Sequence, residues 1–255
     1  MVERTFISIS QQLQLIDRLQ HLIYLSSSLI FISGDEGAGK STLFEQLTNK
    51  LNENIKQVHL HFNEKQADVL IRQKIIMQLY DNALFDAQDS LYVSIAQLQE
   101  KQERQQAILI SVDNAHHLSP EILEELAYLC IHKASLGSSE INVIFSSSDE
   151  DNQQAIDFLN KRYPIQEQGT FIEFKLEPLN INNASRLLMH RFKQVNYTSQ
   201  LENKDALAKQ LSLCAGNPKQ IILLAETITS GVIKSPLPNR FKALLPALIL
   251  SGKKA

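Results

Sequence analysis

A chain of 255 residues with a net charge of −3 and 44% hydrophobic residues is long enough for one large α/β domain with a smaller appended unit. This slightly acidic balance gives the chain as a whole no drive toward nucleic acid or acidic lipid. Because Cys130 and Cys214 lie far apart in sequence, we interpret them as buried thiols in a reducing compartment rather than a disulfide or metal pair. The chain shows neither a signal-peptide core nor the roughly 20 apolar residues that span a bilayer, which predicts a cytoplasmic protein.

The first third of the chain alternates between helix and strand patterns. Residues 8–25 are amphipathic with helical spacing, Leu29-Ile30-Phe31-Ile32 is an apolar strand, and residues 41–51 return to a helical pattern. The next strand, over 57–62, places His59 and His61 on one face. With no third ligand in view, we favour a polar strand face over a metal site for this histidine pair.

The same alternation continues to residue 174 and then stops. Helices are predicted over 67–80, 91–104 and 151–161, with a further helix that starts at Ser119-Pro120-Glu121, and strands over 107–112, 141–145 and 171–174. Strands separated by helices predict a parallel sheet with right-handed crossovers, whose ligands lie at the carboxyl ends of its strands. From Pro178 onward only helices are predicted, over 182–194, 201–214 and 218–229.

The segment Gly34-Asp35-Glu36-Gly37-Ala38-Gly39-Lys40-Ser41 matches the phosphate-loop pattern G-x-x-x-x-G-K-[ST] without a mismatch. A predicted strand precedes it and a predicted helix follows it, as this pattern requires. Its glycines let backbone N–H groups turn toward an anion, and the helix adds its positive N-terminal dipole. We expect ATP and Mg²⁺ here, with Lys40 on the β- and γ-phosphates and the Ser41 hydroxyl on the metal. The expected nucleotide contacts are Gly34, Gly37, Ala38, Gly39, Lys40, Ser41 and Thr42.

A carboxylate at the end of a neighbouring strand is expected to complete the magnesium site, and Asp113 directly follows the strand over 107–112. The next residue is Asn114, where many phosphate-loop ATPases have a glutamate that polarises the attacking water. An amide orients a water but does not take its proton, and such general-base help is worth about 10²–10⁴-fold. We therefore expect nucleotide binding with slow hydrolysis. His116 is the nearest alternative base, although a structural role for it is the simpler interpretation.

Four segments carry a resemblance that covers nearly the whole chain: Gly34–Thr42, Asp113–Ser119, Glu177-Pro178-Leu179 and Gly216-Asn217-Pro218-Lys219. In this order they resemble an AAA+ ATPase of the ExeA/general-secretion type, a group that includes the N-terminal ATPase domain of DamX-like cell-division proteins. The resemblance implies a P-loop fold with strand order 5-1-4-3-2, a C-terminal helical lid, and nucleotide between lid and sheet.

The resemblance also implies roles for single residues. Lys219 looks like the second sensor of the lid, which is usually an arginine. Arg162 is similar in place to the arginine finger that reaches a neighbouring subunit, and a surface arginine is the equal alternative. Ser146–Ser148 cover the place of the first sensor. We accordingly list Asn114, Arg162 and Lys219 as candidate catalytic residues, and Ser41 and Asp113 as metal ligands.

These patterns divide the chain into an ATPase core over 1–177, a helical lid over 178–233 and a basic, apolar tail over 234–255. The tail holds an apolar run, 243–250, flanked by lysines and arginines, as at the cytoplasmic border of a membrane helix. A peptide packed on the lid explains the run equally well.

Three functions follow from these expectations. The first is a nucleotide-gated interaction module with slow or absent hydrolysis, at the inner face of the cytoplasmic membrane, whose partners are cell-envelope or cell-division proteins. The second is an active, ring-forming ATPase of the secretion type. The third is a DNA-associated helper ATPase, against which the acidic balance of the chain argues.

Overall fold

The computed structural model describes residues 10–102, 106–132, 136, 140–163, 171–198, 204–231 and 253–254. Two compact units are present. We call the first the sheet unit, which consists of Ser10–Gly34 and Lys40–Lys175. We call the second the helical unit, which contains the loop segment Asp35–Gly39 and the described residues from Leu176 onward.

Five parallel strands form the sheet unit's centre. They are β1 (Leu29–Ser33), β2 (Ile55–His61), β3 (Ala107–Asp113), β4 (Ile141–Ser147) and β5 (Phe171–Lys175), in the order β2-β3-β4-β1-β5. This order, read from the opposite edge, is the predicted 5-1-4-3-2, so the fold prediction is confirmed. Because the strands are parallel, their carboxyl ends meet at one edge, where Asp113 pairs in register with His61 on one side and Ser146 on the other.

Among the described residues, one helix precedes β1, and five helices and one short 3₁₀ turn lie between the strands. They are α1 (Ser10–Leu25), α2 (Lys40–Lys50), α3 (Asp68–Leu79), α4 (Leu91–Gln99), α5 (Pro120–Ile131) and α6 (Asp149–Arg162), with the turn over Ala115–His117. Ser90, Ser119 and Ser148 cap α4, α5 and α6 through their side-chain oxygens. Helix α4 is shorter than the predicted 91–104, because the polar residues after Gln99 offer no apolar side chain to hold another turn against the core.

The core of the sheet unit explains why its central strands are almost continuously apolar. Strands β3 and β4 are buried nearly throughout, as expected when helices cover both faces of a parallel sheet. Phe31 of β1 and Phe145 of β4 are fully buried, with ring centroids 5.4 Å apart. Cys130 lies in this same core as a buried thiol, as predicted.

Helices α7 (Ile181–Gln194), α8 (Lys204–Leu213) and α9 (Pro218–Ser230) build the helical unit. Leu188, Phe192 and Leu224 are among the residues of their shared apolar core, which also encloses the Cys214 thiol. The prediction that only helices follow Pro178 was wrong. Tyr197–Thr198 forms a two-residue strand, β6, antiparallel to Lys253–Lys254, β7. Tyr197 is held in place by packing on Phe192, at 4.8 Å between ring centroids.

The predicted tail over 234–255 lies outside the described residues except for Lys253 and Lys254. Among the helices that the structure describes, none has the length and apolar character needed to cross a membrane.

Candidate nucleotide and magnesium site

The loop segment Asp35–Gly39 has the backbone conformation that its glycines allow. Gly37 and Gly39 have φ values of +82° and +101°, in the region that L side chains rarely adopt. The N–H of Ala38 donates to the carbonyl of Asp35 at 3.1 Å, which closes a tight turn. Substitution of Gly37 is therefore strained by conformation alone.

Lys40 and Ser41 begin α2, so both lie at the positive end of an 11-residue helix. The ammonium group of Lys40 donates to the carbonyl oxygen of Gly34 at 2.6 Å, which folds this side chain back along the start of the loop. Thr42 follows in the first turn of α2 and is partly buried. The predicted phosphate contacts at Gly34, Lys40 and Ser41 are thus neighbours at the carboxyl end of β1.

Asp113, at the end of β3, is a buried carboxylate at the centre of a polar cluster. Its carboxylate accepts hydrogen bonds from the hydroxyls of Ser41 and Ser146, and its Oδ2 lies 3.1 Å from Nδ1 of His61. The backbone N–H of Asn114 adds a fourth contact, to Oδ1 at 3.2 Å. Burial by itself raises the pKa of the Asp113 carboxyl, but the hydrogen bonds from Ser146, Ser41 and His61 outweigh it, so the pKa lies below its ordinary value.

This cluster fits a magnesium ion chemically. Mg²⁺ takes oxygen ligands, usually one or two carboxylates together with waters and phosphate oxygens. The structure brings the Ser41 hydroxyl and the ionised Asp113 carboxylate into direct contact, as the sequence predicted for a shared metal site. His61 was not predicted as a partner of Asp113, although both residues end their strands and such ends meet in a parallel sheet.

Asn114 has a left-handed backbone, with φ of 59° and ψ of 50°. Its side-chain amide donates to the carbonyl of Phe62 at 2.8 Å, while the N–H of Phe62 donates to the carbonyl of Asp113 at 3.2 Å. Asparagine is one of the few residues that tolerate this backbone conformation. The amide N–H₂ at position 114 therefore ties the residue after β2 to the end of β3.

His116 belongs to a different polar network from Asp113. Its Nδ1 lies 2.9 Å from the hydroxyl of Ser147 and 3.8 Å from Oδ2 of Asp151. Ser147 and Ser148 in turn donate to that same carboxylate oxygen, at 3.1 and 2.6 Å. This network joins the 3₁₀ turn to the first turn of α6, which supports the structural interpretation of His116.

In the helical unit, the turn before α9 contacts the phosphate-loop segment. The Lys219 ammonium forms an ion pair with Glu36 at 2.5 Å, and the Lys219 N–H donates to the carbonyl of Gly37 at 3.2 Å. The side-chain amide of Asn217 donates to the carbonyl of Glu36 at 2.8 Å. Lys219 thus lies at the phosphate loop, and its role as a sensor stays a prediction.

Arg162 is remote from the other predicted residues of the sheet unit. It is the last residue of α6, whose 14 residues extend about 20 Å from the carboxyl edge of the sheet, where Asp149 begins the helix. Its guanidinium lies 3.7 Å from the Glu124 carboxylate and 5.6 Å from the centroid of the Phe158 ring. The structure does not bring Arg162 to the chain's own Lys40 and Ser41.

The first half of the chain, which holds the phosphate loop and Asp113, also matches a known protein family. Residues 24–150 match the family model described as an AAA domain. This chain contains an AAA domain. The match covers the phosphate loop, Asp113 and Asn114, and it ends within the first turn of α6. No curated protein sequence matches the chain.

The AAA domain and the helices after it are also similar to solved structures. Cdc6p from Pyrobaculum aerophilum has a TM-score of 0.65 at 16% identity, over 91% of this chain and 65% of that one. The ORC2 protein of Aeropyrum pernix in its ADP form has a TM-score of 0.67 at 14% identity, over 100% and 71%. Drosophila ORC bound to DNA has a TM-score of 0.57 at 18% identity, over 94% and 58%. At these identities the similarity shows the fold, and the chain spans only about two thirds of the Cdc6p chain.

Proposed function

We propose that this chain is an ATP-binding module that hydrolyses ATP slowly or not at all, and whose surface for a partner changes with the bound nucleotide. ATP and Mg²⁺ are its cofactors. The phosphate groups are held by the loop and by Lys40, and the metal by Ser41 and Asp113. The contact between Ser41 and Asp113 carries the proposal, because it joins the helix after the loop to the carboxylate at the end of β3, the pair that such a site needs.

Asn114 is the residue that supports slow hydrolysis of ATP. Its N–H₂ group is engaged by the carbonyl of Phe62, and an amide has no basic atom to accept a proton from water. His116, the alternative base, is engaged with Ser147 and lies near the Asp151 carboxylate. General-base assistance of about 10²–10⁴-fold is therefore absent from position 114, while the contacts of Nδ1 bind His116 into the network at the start of α6.

The helical unit supports the proposal that the bound nucleotide changes the surface offered to a partner. Asp35–Gly39 belongs to the same compact unit as α7 and α9, and Asn217 and Lys219 bind its backbone directly. Phosphate groups held by that loop therefore act on the turn that begins α9. A change at this turn reaches the surface of the helical unit, where a partner binds.

The finer proposal follows the resemblance to ExeA-type and DamX-like ATPases. Its partners are proteins of the cell envelope or the division machinery, with self-assembly through Arg162 of one copy at the nucleotide of the next. The chain lies in the cytoplasm, at the inner face of the membrane, through the tail or a following segment. Removal of residues 235–255 should abolish binding to anionic liposomes, and unchanged binding of the shortened chain would contradict the membrane role.

Calorimetric titration of ATP with Mg²⁺ tests the nucleotide site. Lys40→Ala should weaken ATP binding by at least about 100-fold, since it removes the one charged side chain that the loop pattern places on the phosphates. Ser41→Ala should remove the magnesium dependence of binding more than the binding itself. Lys50→Ala, at the far end of the same helix, is the matched control and should bind as the wild type does. Undiminished ATP affinity of the Lys40 variant would refute the proposal.

Single-turnover hydrolysis tests the slow-ATPase claim. Asn114→Glu supplies a carboxylate but loses the amide donor, so Asn114→Asp, which tolerates the left-handed backbone, is measured beside it. Either variant should hydrolyse ATP faster than the wild type. A wild-type rate that already equals the faster variant favours the active secretion-type ATPase instead.

A DNA-associated helper ATPase is the second candidate, because the similar structures include ORC bound to DNA. The net charge of −3 argues against it, since phosphate contacts need clustered lysine and arginine. A gel-shift titration at low and physiological salt decides between the two. Binding that weakens steeply with salt would support the DNA role, and its absence at low salt would exclude it.

A further inference from the structure

The ion pair between Glu36 and Lys219 joins the phosphate loop itself to the helical unit that contains it. Glu36 occupies one of the variable positions of the loop pattern, and Lys219 is the second residue of α9. Their charged groups lie 2.5 Å apart. Lys219 is thus a cation held at the phosphate loop, and its present partner is a carboxylate of that same loop.

Close packing around the pair shows that Lys219 is held at the loop by its backbone as well as by its charge. A Cβ atom at Gly37 would lie 2.5 Å from Cβ of Lys219 and 2.8 Å from Oδ1 of Asn217. The Lys219 N–H and the Asn217 amide donate to successive loop carbonyls, those of Gly37 and Glu36. The start of the Lys219 side chain is therefore fixed, while its ammonium end remains able to exchange partners.

The exchange is easy because the pair is open to solvent. The side chains are 57% exposed at Lys219 and 88% exposed at Glu36, and an ion pair of this kind changes an equilibrium constant by only about five-fold or less. A phosphate group offers three acceptor oxygens and more charge than one carboxylate, so it competes well for the same ammonium. A triphosphate competes better than a diphosphate for the same reason.

We infer that Glu36 is a specificity-determining residue of the nucleotide site: it occupies Lys219 until a triphosphate displaces it, and so weakens ATP binding more than ADP binding. The inference rests on the proposed function and adds to it a residue whose effect on binding differs between a triphosphate and a diphosphate. With ADP on the loop, Lys219 remains paired with Glu36. With ATP, Lys219 turns to the phosphates and the carboxylate is released to solvent.

A double-mutant cycle with both nucleotides tests this exchange. Dissociation constants for a non-hydrolysable ATP analogue and for ADP, with Mg²⁺, are measured for the wild type, Glu36→Gln, Lys219→Gln and the double variant. Glu36→Gln should tighten analogue binding by about two- to five-fold, the equivalent of the lost ion pair, and tighten ADP binding less. In the Lys219→Gln background the same change should have no such effect. Thermal unfolding of each variant confirms that the fold is retained.

Asp35→Asn is the matched control, because it removes the same charge from the adjacent loop position. It should leave the preference for the ATP analogue unchanged. Two results would show simple relief of charge repulsion and overturn the inference. The first is that Asp35→Asn changes the preference for the ATP analogue as much as Glu36→Gln does. The second is that Glu36→Gln has the same effect on binding with and without Lys219. The proposed function fails separately, if Lys40→Ala retains wild-type ATP affinity. Loss of binding in Lys40→Ala with no selectivity change in Glu36→Gln overturns the Glu36 inference alone.

Discussion

Two adjacent residues at the end of β3, Asp113 and Asn114, perform different tasks through their backbone and side-chain surroundings. Asp113 gathers hydroxyl donors from α2 and β4 and a histidine from β2, and it is buried. Asn114 turns into the left-handed region and binds the carbonyl of Phe62. The asparagine that weakens the case for hydrolysis is therefore also a structural residue, which links β2 to β3 beyond their last ladder bonds.

Substitutions at Asn114 should separate its backbone and side-chain roles. Asn114→Ala should lower the free energy of unfolding by about 2–3 kcal/mol, because it loses the bond to Phe62 and strains a left-handed backbone. Asn114→Gly loses only the bond and should cost about 1 kcal/mol. Urea unfolding at neutral pH measures both. Equal losses in the two variants would mean that the backbone conformation contributes nothing.

Stability at acid pH should depend on Asp113. Its pKa is depressed in the folded chain, so its contribution is present above the unfolded pKa of about 4 and is lost as the pH falls through the folded value. The difference in unfolding free energy between wild type and Asp113→Asn should therefore be largest at neutral pH and shrink toward pH 3. Urea unfolding in chelator, without magnesium, measures this difference. A difference that stays constant with pH would contradict the assignment.

Among the helices of the sheet unit, one carboxylate holds three elements together. Glu125 of α5 accepts two bonds from Arg72 Nε at 3.2 and 3.1 Å, one from its Nη2 at 2.6 Å, and one from the N–H of Leu91 at 3.0 Å. Arg72 lies on α3 and Leu91 begins α4. The side chains of the ion pair are only 15% and 18% exposed, so solvent screens this pair weakly compared with the other lysine and arginine pairs described here.

Loss of the Glu125 charge should loosen α3 and α4 together. Glu125→Gln should lower the free energy of unfolding by about 1–3 kcal/mol, since a partly buried guanidinium loses its counter-charge. Glu124→Gln, at the adjacent and more exposed position, is the matched control and should change stability by less than about 0.5 kcal/mol. Chemical unfolding followed by circular dichroism gives both values. Equal losses at the two positions would show that the ion pair of Glu125 with Arg72 stabilises the fold no more than an exposed pair does.

For the whole molecule, the position of Arg162 bears on assembly. The C-terminal end of α6 lies about 20 Å from its own strand edge, so Arg162 acts on a nucleotide only if that nucleotide belongs to another copy. Its present contacts, with Glu124 and Phe158, are those of an exposed side chain that is able to change partners. The self-assembly proposed above requires this change.

Arg162→Ala should leave the ATP affinity of dilute chains within about two-fold of wild type, while it lowers any hydrolysis that rises with protein concentration by about ten-fold or more. Lys161→Ala, at the adjacent exposed position, is the control and should change neither the ATP affinity nor the hydrolysis rate. Mass measurement with and without ATP shows whether copies associate. Weakened ATP binding in dilute Arg162→Ala would contradict an action between copies.

Local signals in the sequence were sufficient for much of this architecture. The apolar runs, the glycine-rich loop and the capping residues Ser119 and Asn217 predicted the order of elements, because a buried parallel strand and a helix start each have a short-range signature. The loop pattern and the strand-end position of Asp113 were sufficient to predict a nucleotide site. The AAA family match and the observed strand order agree with that prediction at the level of the fold.

The α/β alternation and the phosphate-loop motif could thus be predicted from the amino acids, because both depend on residues close together in the chain. The contacts between distant residues could not be predicted and required the folded structure: His61 with Asp113, Asn114 with Phe62, and Lys219 with Glu36. The physical reason is that these pairs form where strand ends and turns from separate parts of the chain converge. No periodicity records that convergence, because it is set by strand register and by packing between elements.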